Sequence, residues 1–310
     1  MRYIKDLGEG SRLQDIYFCK SKTSTVTKNG KPYDSLILQD RTGTLDTKVW
    51  DPNSAGIGEY EAGDFIDVAG EVVIFNNAKQ GKLTRIRKCH KGEYDPADYM
   101  PMTKKNIDEM YTQLLALVDS VEDPYYKQLL KAFFEDESFA EKFRKASAAK
   151  TVHHGFIGGL LEHSLSVASL CDHLCTKYPI LKRDLLLSAA MLHDIGKIDE
   201  ISAFPANDYT DEGQLLGHIV MGAMLVNEKS KAIEGFPDQL RTDLEHCILA
   251  HHGELEFGSP KKPALIEALA LSMADNLDAK IETFTELLEN NDRDGWLGFS
   301  KFLDSNVRRT

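Results

Sequence analysis

Between residues 158 and 280 this chain repeatedly sets a histidine or an aspartate into the middle of an apolar run. The segments are GGLLEHSLSVA around His163, LSAAMLHDIGK around His193 and Asp194, LLGHIVMGA around His218, ILAHHGE around His251 and His252, and LALSMADNLDAK around Asp275. Each run has the apolar spacing of a helix that buries a face. Imidazoles and carboxylates left in such a core without partners cost kcal/mol apiece. One shared cation removes that cost from all of them. A lone histidine on an apolar face is ordinarily a satisfied structural residue, and His90, His173 and His246 are read that way. Five such segments in one helical region are a different matter, and metal binding is expected there.

The texture of the chain changes near residue 95. Before it, short β-rich runs (RLQDIYFCKSKT, YDSLILQD, TLDTKVWD, DFIDVAGEVVIF, KLTRIRKC) alternate with turn residues such as Asn29-Gly30 and Ala62-Gly63. YDSLILQDRTGTLDTKVWD reads as a hairpin turning at residues 41–44. Five short strands in about 90 residues suit a small barrel and resemble the OB-fold. From Thr103, a candidate helix cap, the pattern is helical almost throughout. Helices are expected near 123–135, 137–148, 157–177, 182–195, 215–230, 238–252, 262–290 and 293–306. The chain is therefore read as multidomain α and β: an OB-like β-barrel over 1–92, a helical linker region over 93–150, and an all-α bundle over 151–310.

Bulk properties narrow the class. The five cysteines are odd in number and form no CxxC pair, so neither a disulfide framework nor a zinc knuckle is implied. Cys171 and Cys175 read as core residues on one helix face. No stretch approaches the roughly 18 apolar residues of a membrane span, and MRYIKDLGEG lacks the apolar core of a signal peptide. A cytoplasmic protein with no membrane partner is expected. The net charge of −12 speaks against nucleic acid until its distribution is seen. Residues 1–92 hold 15 Lys and Arg against 12 Asp and Glu, leaving +3, and the rest of the chain carries −15. That asymmetry is compatible with a binding module joined to a catalytic domain.

OB barrels bind single strands with basic grooves and exposed aromatic platforms. The candidates are Tyr33, Lys48, Trp50, Phe75, Lys79, Lys82 and Arg85. Taken singly, each aromatic reads more readily as a core residue than as a platform. As a set they make a single-stranded RNA surface, or a single-stranded DNA one, an expectation.

In the helical region, imidazole and carboxylate donors suit Mn²⁺, Fe²⁺, Co²⁺ or Zn²⁺ better than Mg²⁺ or Ca²⁺. Spacing does not decide between His251 and His252; His251 is favoured, with His252 as second choice or phosphate contact. Gly196 is expected to end its helix in a left-handed turn, sending Lys197 toward the metals as a phosphate clamp. The alternative is a helix-end cation favoured by the dipole. His153 and His154, before the GFIGG segment, are candidates for substrate binding. The apolar face of WLGFSKFLDSNV, after Gly295, suggests a homo-oligomer.

The ordered pattern H…HD…H…H…D over residues 150–285 resembles the HD superfamily of metal-dependent phosphohydrolases. By that resemblance His163, His193, Asp194 and Asp275 hold one metal, while His218 and His251 mark the two-metal branch, with Asp194 bridging. Relatives in the superfamily act on cyclic nucleotides, nucleoside triphosphates, cyclic dinucleotides and nucleic acids. An OB-like barrel joined to such a domain, together with the HHGFIGGLLEHSLSVA and ADNLDAK strings, is similar to the YhaM family of 3′-to-5′ exoribonucleases. The resemblance implies hydrolysis of single-stranded RNA, possibly DNA, to nucleoside 5′-monophosphates with two divalent ions, manganese foremost. Its polarity comes from the resemblance alone. The competing expectation is a phosphohydrolase of nucleotides or cyclic dinucleotides that uses the barrel for sensing or assembly.

Overall fold

The alternation before residue 90 resolves into five strands: β1 (Arg12–Val26), β2 (Pro32–Asp40), β3 (Gly43–Val49), β4 (Phe65–Phe75) and β5 (Ala78–Lys88). The computed structural model describes every residue except 1, 28, 76–77, 96–97, 151–154, 205, 290 and 292–293. The strands close into a barrel in the order β1-β2-β3-β5-β4. β1 is long enough to pair with both β2 and β4, and a register shift between Cys19 and Ser21 lets it bend from one partner to the other. The parallel pairing of β3 with β5, Asp46 to Gln80 through Lys48 to Lys82, completes the closure. The expected hairpin is present, with Asp40 opposite Gly43. Leu36 and Leu38 of β2, Leu45 and Val49 of β3, and Ile66 and Val68 of β4 point inward with the two-residue period and are buried. The opposite face of each strand is left to solvent and function.

The chain divides into two compact units, and the second begins at Thr103. Its first helices are α1 (Ile107–Ser120), α2 (Pro124–Phe134) and α3 (Glu137–Lys145). The cap of α1 is Asn106, whose side chain accepts from the amides of Asp108 and Glu109, rather than Thr103. The Thr103 hydroxyl instead donates to Glu162. Asp123 and Asp136 cap α2 and α3 in the same way. These helices share one apolar core with the histidine-bearing region: Leu114, Leu129, Phe133 and Phe143 lie in the same buried cluster as Leu161, Leu192 and Ile248.

The remaining helices are α4 (Gly159–Lys177), α5 (Arg183–Leu192), α6 (Lys197–Glu200), α7 (Asp211–Lys231), α8 (Asp238–Leu249) and α9 (Ile266–Glu289). α5 is apolar nearly all round, and every residue from Leu185 to Leu192 is buried. It is the axis of the unit, and its C-terminal end is where His193 and Asp194 emerge. All five cysteines are free thiols. Cys171 is fully buried and Cys175 packs against the same core.

The expected helix over 293–306 is not formed. Residues Gly295–Ser300 (β6) and Ser305–Arg309 (β7) make a two-stranded antiparallel hairpin instead. Gly295 and Gly298 both take positive φ, and Asp304 turns the chain at φ 47°. Those conformations stop a helix, whatever the apolar spacing of Trp296, Phe299 and Phe302 suggests. The second unit is thus a helical bundle with a C-terminal β-hairpin. Among the described residues no helix is long and apolar enough to cross a membrane.

Candidate metal centre

Five helices deliver the polar interruptions to one point. His163 stands in the middle of α4, His193 caps the end of α5, and Asp194 follows on the turn into α6. His218 lies in α7 directly after a break at Gly217, whose φ of 74° and ψ of 152° interrupt the helix. His251 and His252 lie just past the end of α8, and Asp275 lies on α9.

Asp194 occupies the centre and is 2 % exposed. Its Oδ2 lies 3.5 Å from His163 Nε2 and 3.4 Å from His193 Nε2. Its Oδ1 lies 3.4 Å from His218 Nε2 and 3.6 Å from His251 Nε2. Asp275 Oδ1 approaches His163 Nε2 at 3.1 Å and His193 Nε2 at 3.8 Å. Two sets of donors result: His163, His193 and Asp275 on one side, and His218, His251 and His252 on the other. Within each set the donor atoms lie within 4.8 Å of one another.

The opposite nitrogen of each imidazole is already engaged. His163 Nδ1 meets Asp278 at 2.8 Å, and Asp278 also accepts from Ser166. His193 Nδ1 faces the Ala190 carbonyl at 2.8 Å, and His251 Nδ1 the Ile248 carbonyl at 2.7 Å. Glu200 Oε1 takes both the backbone amide of His218 at 2.9 Å and its Nδ1 at 3.0 Å. His252 Nδ1 faces the Phe257 carbonyl at 2.8 Å. An imidazole whose Nδ1 donates to such a partner presents an unprotonated Nε2, the form that ligates metal.

The fit to a cation is visible in what lacks a partner. Asp194 Oδ1, His218 Nε2 and His251 Nε2 are buried and have no hydrogen-bond partner among the described residues. Three inward-facing lone-pair donors at one point are costly in a protein interior and are satisfied together by a divalent cation.

Electrostatics agrees. Burial opposes charge on His163, but the hydrogen bonds it donates to Asp275 and then Asp278 outweigh that and push its pKa up to about 10. Burial also works against the Asp194 and Asp275 carboxylates, yet Lys197 and the histidines hold Asp194, and His163 and its neighbouring histidines hold Asp275, well below the ordinary carboxylate range. Burial depresses His251, and the neighbouring Asp194 and Asp275 only partly oppose it. The site sets ionised carboxylates against a His163 whose charged form is favoured and a His251 whose charged form is not.

Lys197 Nζ lies 2.7 Å from Asp194 Oδ2. Burial disfavours its charge, but Asp194 overrides burial and raises its pKa. The expected left-handed turn at Gly196 is absent: its φ is −65° and its ψ −17°. Glycine is required there by close approach, since a Cβ would stand 2.2 Å from the His218 carbonyl oxygen and 2.7 Å from the Gly222 amide. That contact brings α7, and with it His218, against the Asp194 turn. Lys197 accordingly opens α6 instead of projecting beyond the end of α5.

A cavity of about 480 Å³ opens onto Asp194, His163, His251, His252, Asp275 and Lys197. His153 and His154 lie outside the described residues. Asp278 and Glu200 were missed by sequence reasoning. Asp278 stands three residues after Asp275, one turn along the same helix face, which is the one available signal. Nothing in the local sequence distinguishes Glu200 from a solvent-facing acid.

On the barrel, Tyr33 and Trp50 stack with ring centroids 5.0 Å apart. Lys48 lies opposite Ser35 on β2 and Lys82 on β5, and its ammonium contacts Ser35 and Asp46. Tyr33, Lys48, Trp50 and Lys82 therefore belong to adjoining outer positions of β2, β3 and β5. Phe75 is exposed at the end of β4, opposite Ala78, and Lys79 pairs with Ile74 beside it. Arg85 is drawn to the β4 side, where it pairs with Asp67 at 3.1 Å.

A helical bundle that gathers imidazoles and carboxylates around a buried His-Asp pair defines an HD-domain metal hydrolase, and residues 160–280 match the HD domain family model. Over nearly its whole length the chain is similar to the 3′-5′ exoribonuclease YhaM of Geobacillus sp. (strain WCH70), with 35 % identity over 279 residues, 89 % of this chain and 85 % of that protein. It is likewise similar to the 3′-5′ exoribonuclease YhaM of Bacillus subtilis (strain 168), with 34 % identity over 287 residues, 90 % of this chain and 88 % of that protein. The chain belongs to the YhaM family of 3′-5′ exoribonucleases. Among solved structures, the second OB-fold domain of replication protein A from Methanococcus maripaludis aligns with 30 % of this chain and 98 % of its own, at 20 % identity and a TM-score of 0.22.

Proposed function

We propose that this protein removes nucleotides from the 3′ end of single-stranded RNA, using two divalent ions, Mn²⁺ foremost, held on either side of Asp194. The observation that carries the reading is the position of that carboxylate, with Oδ2 toward His163 and His193 and Oδ1 toward His218 and His251. His163, His193 and Asp275 are assigned to one ion; His218 and His251, with His252 beside them, are assigned to the other. What bound ions supply is Lewis-acid activation of water and neutralisation of charge at a phosphodiester.

The chain's own groups do the rest. Asp278 and Glu200 fix the ring orientations of His163 and His218 through their Nδ1 atoms. Lys197 keeps an ammonium in the same cavity as the ligands, where it can meet a nonbridging phosphate oxygen. No serine or cysteine nucleophile is required. The cavity, at about 480 Å³, is of the size that takes a small ligand such as one nucleotide. Tyr33, Trp50, Lys48 and Lys82 on the barrel are assigned to the single strand upstream of the cut, with stacking and phosphate contacts that tolerate any sequence. Single-stranded DNA meets the same contacts.

A second copy of the chain is assigned to the C-terminal region. Ile266, Leu269, Met273, Leu277, Ile281 and Phe284 follow the three- and four-residue spacing of one helix face on α9, and all are exposed. The hairpin exposes Trp296, Phe299 and Phe302, and a two-stranded hairpin is marginal in isolation. α9 carries six acidic residues against one lysine, whereas residues 295–310 carry Lys301, Arg308 and Arg309 against Asp304. Two copies related by a two-fold axis offer each other both the apolar faces and the opposite charges.

The activity is tested by restoring Mn²⁺ to metal-stripped protein and incubating it with a 5′-labelled single-stranded RNA, beside an Asp194→Ala control. A ladder that shortens from the 3′ end and vanishes in the control is the expected result. An intact oligomer, with hydrolysis of nucleotides or cyclic dinucleotides instead, overturns the assignment in favour of a small-molecule phosphohydrolase.

A further inference from the structure

The cavity wall that faces the ligands continues onto Phe257, Ser272, Asn276 and Ala279. Phe257 is the odd member. It is 65 % exposed at the mouth of a cavity whose other walls are crowded with imidazole and carboxylate. Burying a phenylalanine stabilises a fold, and this position forgoes most of that gain.

The turn that presents it is nonetheless built. Residues Leu255–Phe257 form a 3-10 turn directly after the His251-His252 pair. The Phe257 amide donates to the Glu254 carbonyl at 3.1 Å, and the Ser259 amide reaches the same carbonyl at 3.3 Å. Glu254 and Lys262 close the loop with an ion pair at 2.5 Å. The Phe257 carbonyl is bonded to Nδ1 of His252, which leaves Nε2 as the ligand nitrogen of that histidine. The exposed ring is therefore tied to the ligand set through a single side chain.

We propose that Phe257 is the floor of a nucleobase subsite, on which the base of the 3′-terminal nucleotide stacks while its phosphate meets the Asp194 centre. The inference rests on the exonuclease reading given above and adds the element that positions the leaving nucleotide. A stacking contact suits an enzyme that must accept each base in turn, because every base presents a π-face. The cavity volume of about 480 Å³ falls within the range of small-ligand sites. Asn276, one residue beyond Asp275 on the same wall, offers both a donor and an acceptor to the sugar or base edge. The hydrogen bond between Phe257 and His252 holds the platform at a fixed distance from the ligands, so a seated base brings its scissile phosphate into register.

The test compares wild-type protein, Phe257→Ala and Phe257→Trp, all full length with Mn²⁺, on two single-stranded RNAs that differ in one feature. One ends in an ordinary nucleotide and the other in an abasic one, and the first cleavage is timed. Base–aromatic stacking is worth about 1–3 kcal/mol, so Phe257→Ala is expected to lower kcat/KM on ordinary RNA by roughly 5- to 150-fold. Phe257→Trp restores it. On the abasic end, wild type and Phe257→Ala cleave at the same reduced rate, and calorimetry finds their Mn²⁺ affinity equal. Equal rates on ordinary RNA overturn the subsite alone. So does a loss of the same factor on both substrates, or weakened Mn²⁺ binding, since either assigns Phe257 to supporting His252. Wild-type protein that leaves ordinary RNA intact overturns the exonuclease reading, and the subsite with it.

Discussion

Asp278 Oδ2 lies 2.8 Å from Nδ1 of His163, and this contact decides which nitrogen of that ring faces Asp194. Glu200 does the same for His218 on the other side of the site. Outer partners of this kind typically contribute 10- to 100-fold to metal affinity. Asp278→Asn is expected to weaken Mn²⁺ binding at one site by about that factor, and Glu200→Gln at the other. Calorimetric titration checks this, because each variant leaves one of the two binding steps unchanged. Loss of both steps together in either variant contradicts the division into two sets.

The proposed role of Lys197 is to supply charge to the reaction. Removing one preorganised charge from a catalytic site typically costs about 10²–10³ in kcat. Lys197→Ala is expected to lower kcat on RNA within that range with little change in KM. The Asp194 contact raises the Lys197 pKa against the effect of burial, so the ammonium stays charged through neutral pH and the contribution is lost only as pH rises through its raised value. The rate ratio of wild type to variant should thus stay level between pH 6 and 9. A ratio that collapses near pH 7 assigns the effect to another group.

The stacked pair Tyr33–Trp50 tests the barrel. Trp50→Ala is expected to weaken binding of single-stranded RNA by roughly 5- to 150-fold, from about 1–3 kcal/mol of stacking. Arg85→Ala is expected to change it little, because Asp67 already engages that guanidinium. Fluorescence anisotropy with a labelled oligomer longer than the cavity reads both. Equal losses in the two variants place the RNA along β4 and β5 instead.

The exposed α9 face makes an assembly prediction. Light scattering of the wild-type protein is expected to give a dimer or a larger closed assembly. Leu277→Glu combined with Ile281→Glu should shift it to the monomer without loss of helix content. A wild-type monomer at tens of micromolar contradicts the assignment of a second copy to this face.

The contrast between what could and could not be read from the chain has physical reasons. His163, His193, Asp194, His218, His251 and Asp275 are legible because each breaks an apolar run, and a polar residue in a core demands an explanation. The barrel is legible because inner residues such as Leu36 and Leu38, or Ile66 and Val68, keep a period of two between turn residues. Asp278 and Glu200 are hidden among the chain's 49 acids, since orienting a ligand leaves no mark on hydrophobic spacing. At 295–309 the aromatic spacing is shared by helix and hairpin, and backbone freedom at Gly298 decides the outcome. Gly196 ends no helix, because its constraint is a neighbouring backbone from α7, distant in sequence.

The central claim is that Asp194 bridges two cations. Anomalous diffraction at the manganese edge, from crystals grown with Mn²⁺, tests it most directly. Two peaks are expected, one among His163, His193 and Asp275 and one among His218, His251 and His252, with an Asp194 oxygen bound to each. A single peak with Asp194 on one side only, or no peak at either set, contradicts the account.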